Sequence, residues 1–441
     1  MELMLRAPIP EMLWKLAGPN VVAITMLTSV TFADAWYVSQ LGTAALASLA
    51  LVFPFQTLMQ MMSAGAIGGG VTSSVARALG GDDVNKAASV IWHAAVIGVL
   101  MSFLFVIVLG VFSRPIFALL GGTGGTLDGA VAYAQIAFGA ALAIWMLYIF
   151  SAALRGMGDT VTPAHAITVS SIVQIFLSGA LTLGWGVFPT VGVVGPAMAM
   201  IVCQGTAALY LGFHLFRGKA RVRLRPHPIQ WSVIKDILQV GGIGLFNSFF
   251  MAMTVVFVTG FVGRYGTAAL AGYGLGARLE LMLVPLSFGI GAALTAAVGA
   301  NFGAEQYARA RRIAWTGSAV TLMVTGAIGL TVAVTPSLWL NLFTDDTAAY
   351  SYGALYLGIA GPFYALFGAG QALYFASQGT GRVLLPVAAS GVRFFVVVGL
   401  GAIAVALGWQ VSSVFWVVAA GLVLIGVGQA LCLFTSGWRP D

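Results

Sequence analysis

Twelve long apolar stretches divide the chain, at about residues 14–38, 46–75, 88–112, 131–153, 163–186, 193–216, 234–261, 270–300, 313–335, 351–375, 384–407 and 411–435. Each reaches the ~20 residues that an α-helix needs to cross ~30 Å of hydrocarbon. The runs are two to three times longer than the ~10-residue alternating strands of a membrane barrel. The 57 glycines spread among them let helices approach closely. The pattern predicts an all-α polytopic membrane protein with twelve transmembrane helices. No cleavable signal is expected, because Glu2, Arg6, Glu11 and Lys15 interrupt the start and the first run is long enough to span.

Composition agrees with this reading. Hydrophobic residues make up 60% of the chain and charged residues only 7%, whereas soluble domains spend about a quarter of their residues on charge. Two cysteines, Cys203 and Cys432, lie in apolar runs, and four histidines show no ligand spacing. Disulfides, metal sites and bound cofactors are therefore not expected.

The formal net charge of +7 gains meaning from its placement. Twelve crossings put both termini on one side. If that side is the cytoplasm, it collects Arg6, Lys15, Arg77, Lys86, Arg155, Arg217, Lys219, Arg221, Arg223, Arg225, Lys235, Arg309, Arg311, Arg312, Arg382 and Arg439, which is 16 of the 20 basic residues. Arg114 and Arg264 fall outside, and Arg278 and Arg393 fall within spans. The positive-inside rule then gives a multi-pass protein of the cytoplasmic (inner) membrane with both termini cytoplasmic. The basic run from Arg217 to Lys235 reads as a connector that sets topology, not as a nucleic-acid footprint.

The chain also repeats itself. Gly42-Thr43-Ala44-Ala45-Leu46-Ala47 recurs as Gly266-Thr267-Ala268-Ala269-Leu270-Ala271. One residue out of that register, Gly80 pairs with Gly303, Trp92 with Trp315, Gly156 with Gly379, Gly158 with Gly381 and Pro163 with Pro386. Six spans per half make the repeats parallel, so two six-helix lobes are related by a pseudo-two-fold axis along the membrane normal. The expected division is an N-terminal lobe at 1–216, a connector at 217–233 and a C-terminal lobe at 234–441. Two lobes around a central cavity suit alternating access, which makes transport the leading function.

The residues Phe32-Ala33-Asp34-Ala35-Trp36-Tyr37-Val38-Ser39-Gln40-Leu41-Gly42, Gly70 to Arg77 with Leu79-Gly80, and Leu154-Arg155-Gly156-Met157-Gly158-Asp159-Thr160 with Pro163 resemble the multidrug and toxic compound extrusion (MATE) transporters. The second half adds Gly276-Ala277-Arg278-Leu279-Glu280, Val298 to Ala304 and Ala308-Arg309-Ala310. The resemblance covers nearly the whole chain and points to the DinF-like archaeal and bacterial drug-transporter branch. It implies a cation-coupled antiporter that expels amphipathic, often cationic, organic compounds and works as a monomer in the lipid bilayer.

Ionisable side chains within hydrocarbon are costly and need a partner or a function. Asp34, Arg278, Glu280 and Arg393 are the four candidates. By depth alone Asp34 reads equally as a solvated helix end. The resemblance matches it to the family's cation-coupling acid, able to exchange a proton for a drug. Glu280 and Arg393 both reach mid-membrane depth. They form either a second cation or substrate locus or a structural ion pair, with Arg278 as an alternative partner. Gln174 and Ser178-Gly179 stand where many relatives carry an Asn and an Asp-Pro, so Asp34 lacks a second acid beside it. Gln371 and Asn247 stand where a carboxylate would favour sodium, and the coupling ion is therefore expected to be the proton, with sodium the alternative. Gln56 and Gln60 are further candidate polar residues for a substrate cavity.

Three other functions fit the pattern less well. A lipid or lipid-linked-sugar flippase calls for a basic cavity, where only Arg278 and Arg393 are on offer. An intramembrane enzyme calls for a catalytic constellation, and no such motif occurs within the spans. A channel calls for a filter motif, and none is visible. Gly121-Gly122-Thr123-Gly124-Gly125 lacks the lysine of a phosphate loop and reads as a flexible external loop.

Overall fold

The structure is a computed structural model that describes residues 1–218, 220–435 and 438. Lys219 and Arg439, counted above among the basic residues, lie outside the described residues. Eleven helices are long and apolar enough to cross a membrane, and a bent pair makes up the twelfth. The first half comprises α1 (Ile9–Ser39), α2 (Thr43–Gly80), α3 (Val84–Val111), α4 (Gly124–Gly139 and Ala141–Gly156, bent by 46°), α5 (Val161–Leu183) and α6 (Gly192–Phe216). The second half comprises α7 (Trp231–Gly263), α8 (Thr267–Gly303), α9 (Tyr307–Val334), α10 (Thr347–Thr380), α11 (Leu384–Ala406) and α12 (Val411–Cys432).

The expected spans are all present, with two local differences. α7 begins at Trp231, so the connector gives up its last residues to the helix. The Gly121–Gly125 run is not wholly loop, because α4 starts at Gly124. Gly121 and Gly124, with φ of +91° and +51°, turn the chain at angles that L side chains rarely adopt, and the helix follows at once.

The two halves match element by element. Asp82 and Glu305, 223 positions apart, both have φ of +58° in the turns after α2 and α8. The bend of α4 at Ala140 answers a 3₁₀ turn at Gly361–Phe363 in α10. Helix α2 passes through a π-helical stretch at Met61–Ile67, a geometry frequent at functional sites, whereas α8 stays α-helical around its internal Pro285.

The halves meet on the face that bears the chain termini. Any Cβ at Gly80 would overlap the backbone of Ala300, and any at Gly303 the backbone of Arg77. These two glycines are the repeat pair seen in the sequence, and each one admits the backbone of the other half. The short helix Glu2–Arg6 crosses the same face, where the Met4 carbonyl accepts from Asn301 Nδ2 at 2.9 Å and the Ala7 carbonyl from Arg309. His93 of α3 accepts from the Gln230 backbone N–H at 2.8 Å, and its other ring nitrogen meets the Ser89 carbonyl at 2.7 Å. It thereby caps the start of α7.

Away from the terminal face the halves part. Val21 of α1 touches Gly289 of α8. Eleven residues from Val21 and seven from Gly289, Phe32 and Met282 lie on the same helix faces and are exposed, so the contact between α1 and α8 is not continued and a cleft separates them on the far side.

Candidate functional site

Asp34 turns away from that cleft and into the first half. Ser178 Oγ of α5 donates to Asp34 Oδ1 at 2.5 Å. One turn along α1, Tyr37 is buried, packs on Gly179, and stacks edge-on against Trp185 with centroids 5.5 Å apart. Gly179 has no side chain where the Tyr37 ring lies, which allows α1 and α5 to close around the carboxyl group.

Other polar groups line the same half. Tyr133 Oη of α4 donates to Gln56 Oε1 at 3.4 Å, and Gln56 Nε2 reaches Met200 Sδ of α6 at 2.9 Å. Gln174, Thr182 and Gln204 are buried, and Thr182 Oγ1 and Gln204 Oε1 have no partner among the described residues. Gln60 is half-buried beside the π turn and makes no side-chain hydrogen bond among the described residues. Asp34 forms no ion pair with a described residue. A carboxyl group so placed can hold one positive charge at a time, either a proton or a cation.

The second half contains the other intramembrane acid, in a different state. Tyr356 Oη donates to Glu280 Oε2 at 2.7 Å, and Arg393 Nη2 lies 3.8 Å from Glu280 Oε1. The two charged side chains retain only 6% and 13% of their exposure. Arg393 also lies over the Phe367 ring at 5.8 Å, and its Nε has no partner among the described residues. Tyr273, Tyr356 and Phe415 wall the pair in, with centroids 5.1 to 6.2 Å apart.

Arg278, expected to belong to this network, stands outside it. Two residues along a helix is about 200° of rotation, so Arg278 and Glu280 cannot share a face, and Arg278 is exposed. Of the remaining candidates, Gln371 Nε2 of α10 meets Met251 Sδ of α7 at 3.3 Å. Asn247 is buried on α7 without a side-chain hydrogen bond among the described residues. Among the described residues no three His, Cys, Asp or Glu side chains cluster as metal ligands.

Tyr37, Tyr133, Thr182 and Gln204 were not singled out in the sequence. The repeat held a signal for Tyr133: it matches Tyr356, and Gln56 matches Glu280, so each half joins a tyrosine to a polar group at the same depth.

Toward the terminal face the path past these sites is shut. Ser73 Oγ donates to the Gln378 carbonyl at 2.5 Å, and Gln378 Nε2 to the Gly65 carbonyl at 3.2 Å. Arg155 lies over Phe288 at 6.0 Å, which repeats the Gln378–Gly65 contact from the other half, since 155 matches 378 and 65 matches 288. Arg77 Nη2 meets Asp236 Oδ1 at 2.8 Å.

Comparison with known proteins supports the same picture. The MatE family profile matches residues 19–178 and 244–404. The chain is 26% identical over 368 residues to an FAD transporter of Shewanella oneidensis, covering 80% of this chain and 78% of that one. It is 26% identical over 319 residues to the probable multidrug resistance protein NorM of Thermotoga maritima, covering 72% and 68%. A MOP-superfamily transporter from Pyrococcus furiosus superposes with a TM-score of 0.92 at 21% identity, covering 100% of this chain and 98% of the other. A multidrug resistance MATE transporter in an outward-facing conformation gives 0.89 at 22% identity, covering 98% and 96%.

Proposed function

The chain belongs to the MATE family of membrane transporters, and from that membership we propose that it is a proton-coupled antiporter that expels amphipathic organic cations by alternating access. Membership also removes the intramembrane-enzyme reading. Asp34 is the coupling group. The observation that carries this is the contrast between the two intramembrane acids: Glu280 is held by Arg393 and Tyr356, while among the described residues Asp34 has only the Ser178 hydroxyl. A carboxyl group with a fixed cation beside it has no charge to offer a substrate. Asp34 has one.

The distribution of basic residues favours a cytoplasmic placement of both termini, which makes the open cleft extracellular and the closed face cytoplasmic. In this state Asp34 would take up a proton from outside as the exported cation leaves. Rocking of the two lobes would break the contacts at the closed face, open the other side, and release the proton inward. The absence of a carboxylate at Gln371 and Asn247 supports protons over sodium.

The test is transport of ethidium by the purified protein in liposomes, under a proton gradient or a sodium gradient imposed separately. The proton gradient should drive it. Transport driven by sodium alone would reassign the ion, and indifference to both gradients would refute the antiporter.

A further inference from the structure

On α8, Gly272 and Gly276 pack against Gly353 and Tyr356 of α10, and Glu280 continues that face. Arg278 points the other way and is exposed. It lies eleven residues beyond Thr267, ~16 Å into the helix at 1.5 Å per residue. A lone guanidinium at that depth is strongly disfavoured against lipid.

The phase of the helix shows what it faces instead. Gly289 meets Val21 of α1, and Arg278 precedes Gly289 by eleven residues, within about 20° of the same face. The surface that closes on the first half at Gly289 is therefore the surface that opens into the cleft at Arg278. By the same spacing Phe32 continues the Val21 face of α1, and it is 57% exposed. The cleft thus has an apolar aromatic surface on one lobe and a cation on the other. Both intramembrane acids are turned elsewhere, Asp34 to Ser178 and Glu280 to Tyr356 and Arg393. Arg278 makes no hydrogen bond or ion pair among the described residues.

We propose that Arg278 is an anion-accepting site in the cleft, separate from Asp34, that binds the carboxylate or phosphate of an amphipathic aromatic substrate. A guanidinium presents a planar fork of donors that matches such groups in two parallel bonds. The substrates then include zwitterions and organic anions as well as cations. This inference rests on the transporter reading but not on the identity of the coupling ion.

Rhodamine B and its ethyl ester form a matched pair of probes, since the ester lacks only the free carboxylate. In proteoliposomes the wild type should move both. Arg278→Gln should cut rhodamine B transport about tenfold or more, the factor carried by loss of a charge-assisted hydrogen bond, and leave the ester unchanged. Arg278→Lys should restore part of the loss. Ester transport also reports that the variant is folded. Failure of the wild type to move rhodamine B, or an equal effect of Arg278→Gln on both dyes, would overturn the site. Vesicles with and without phosphatidylglycerol separate solute from lipid: inhibition by this lipid that Arg278→Gln removes would assign the anion to a lipid phosphate and overturn the solute assignment. Ester transport indifferent to ion gradients would refute coupling through Asp34 while leaving the comparison of the two dyes intact.

Discussion

Arg77 and Asp236 join the two halves of the chain, with Nη2 of one 2.8 Å from Oδ1 of the other. Arg77 ends α2 and Asp236 opens α7, and Arg77 also reaches Ser73 and the Gly379 carbonyl. The ion pair has no counterpart in the pseudo-symmetric position, where Ala300 and Leu13 stand. Among the described residues this pair therefore closes the terminal face without a symmetric copy across the axis.

Breaking that pair should shift the lobes toward opening at the terminal face. The side chains keep 17% and 34% exposure, so a contribution of about 1 kcal/mol is appropriate, or about a fivefold change in the ratio of the two states. Electron–electron distance measurements between spin labels on the α2–α3 and α8–α9 turns should show a longer-distance population in Asp236→Asn. An unchanged distribution would remove the pair from the gate.

Gly80→Ala and Gly303→Ala should act on the same equilibrium more strongly. In each, the new methyl group meets backbone of the other half and not a movable side chain. The closed face should fail to form, and thiol reagents should reach Ser73→Cys, which is fully buried in this state. Protection of that cysteine at the wild-type level in both alanine variants would contradict the close approach.

Asp34→Asn should fold and insert normally but lose drug-dependent proton flux, read with a pH dye inside proteoliposomes. Ser178→Ala removes the donor to Asp34 and keeps the carboxyl group, so flux should fall several-fold without vanishing. Undiminished flux in Asp34→Asn would place coupling elsewhere.

The Glu280–Arg393 pair should matter to stability before it matters to transport. Removing one partner of a buried pair costs about 3–5 kcal/mol because the other charge is left alone. Arg393→Met alone should therefore lower the melting temperature of the detergent-solubilised protein markedly, and Glu280→Gln with Arg393→Met should recover much of the loss. If the double variant is stable and transports ethidium, the pair is structural. A stable double variant without transport would make it part of the pathway.

The spans were legible because a bilayer imposes one demand, ~20 apolar residues, on every helix. The repeat was legible because Gly80 and Gly303 keep the same packing role in both halves. Asp34 stood out by cost, as a charge in hydrocarbon. Its partner did not: Ser178 is 144 residues away and was reached only through an aligned family position. The separation of Arg278 from Glu280 needed nothing beyond helical phase, since residues two apart face opposite ways. The choice of Arg393 as the partner of Glu280 did need the fold, in which α11 packs on α7 and α12 and the Arg393 side chain reaches across to α8. The break in α4 at Ala140 follows Gly139, which as one of 57 glycines did not stand out as a mark.

The cancellation of Glu280 by Arg393 has an electrical consequence. A membrane potential acts on net charge, at about 2.3 kcal/mol per elementary charge per 100 mV. A paired acid and base carried through the field together do no electrical work as the lobe rocks. On the proposed cycle, one proton exchanged for one monovalent cation at Asp34 moves no net charge either. Such an exchange draws on the pH difference and is blind to voltage, whereas a zwitterion leaving by way of Arg278 in return for a proton would be electrogenic, and current recordings on the two classes of substrate would differ.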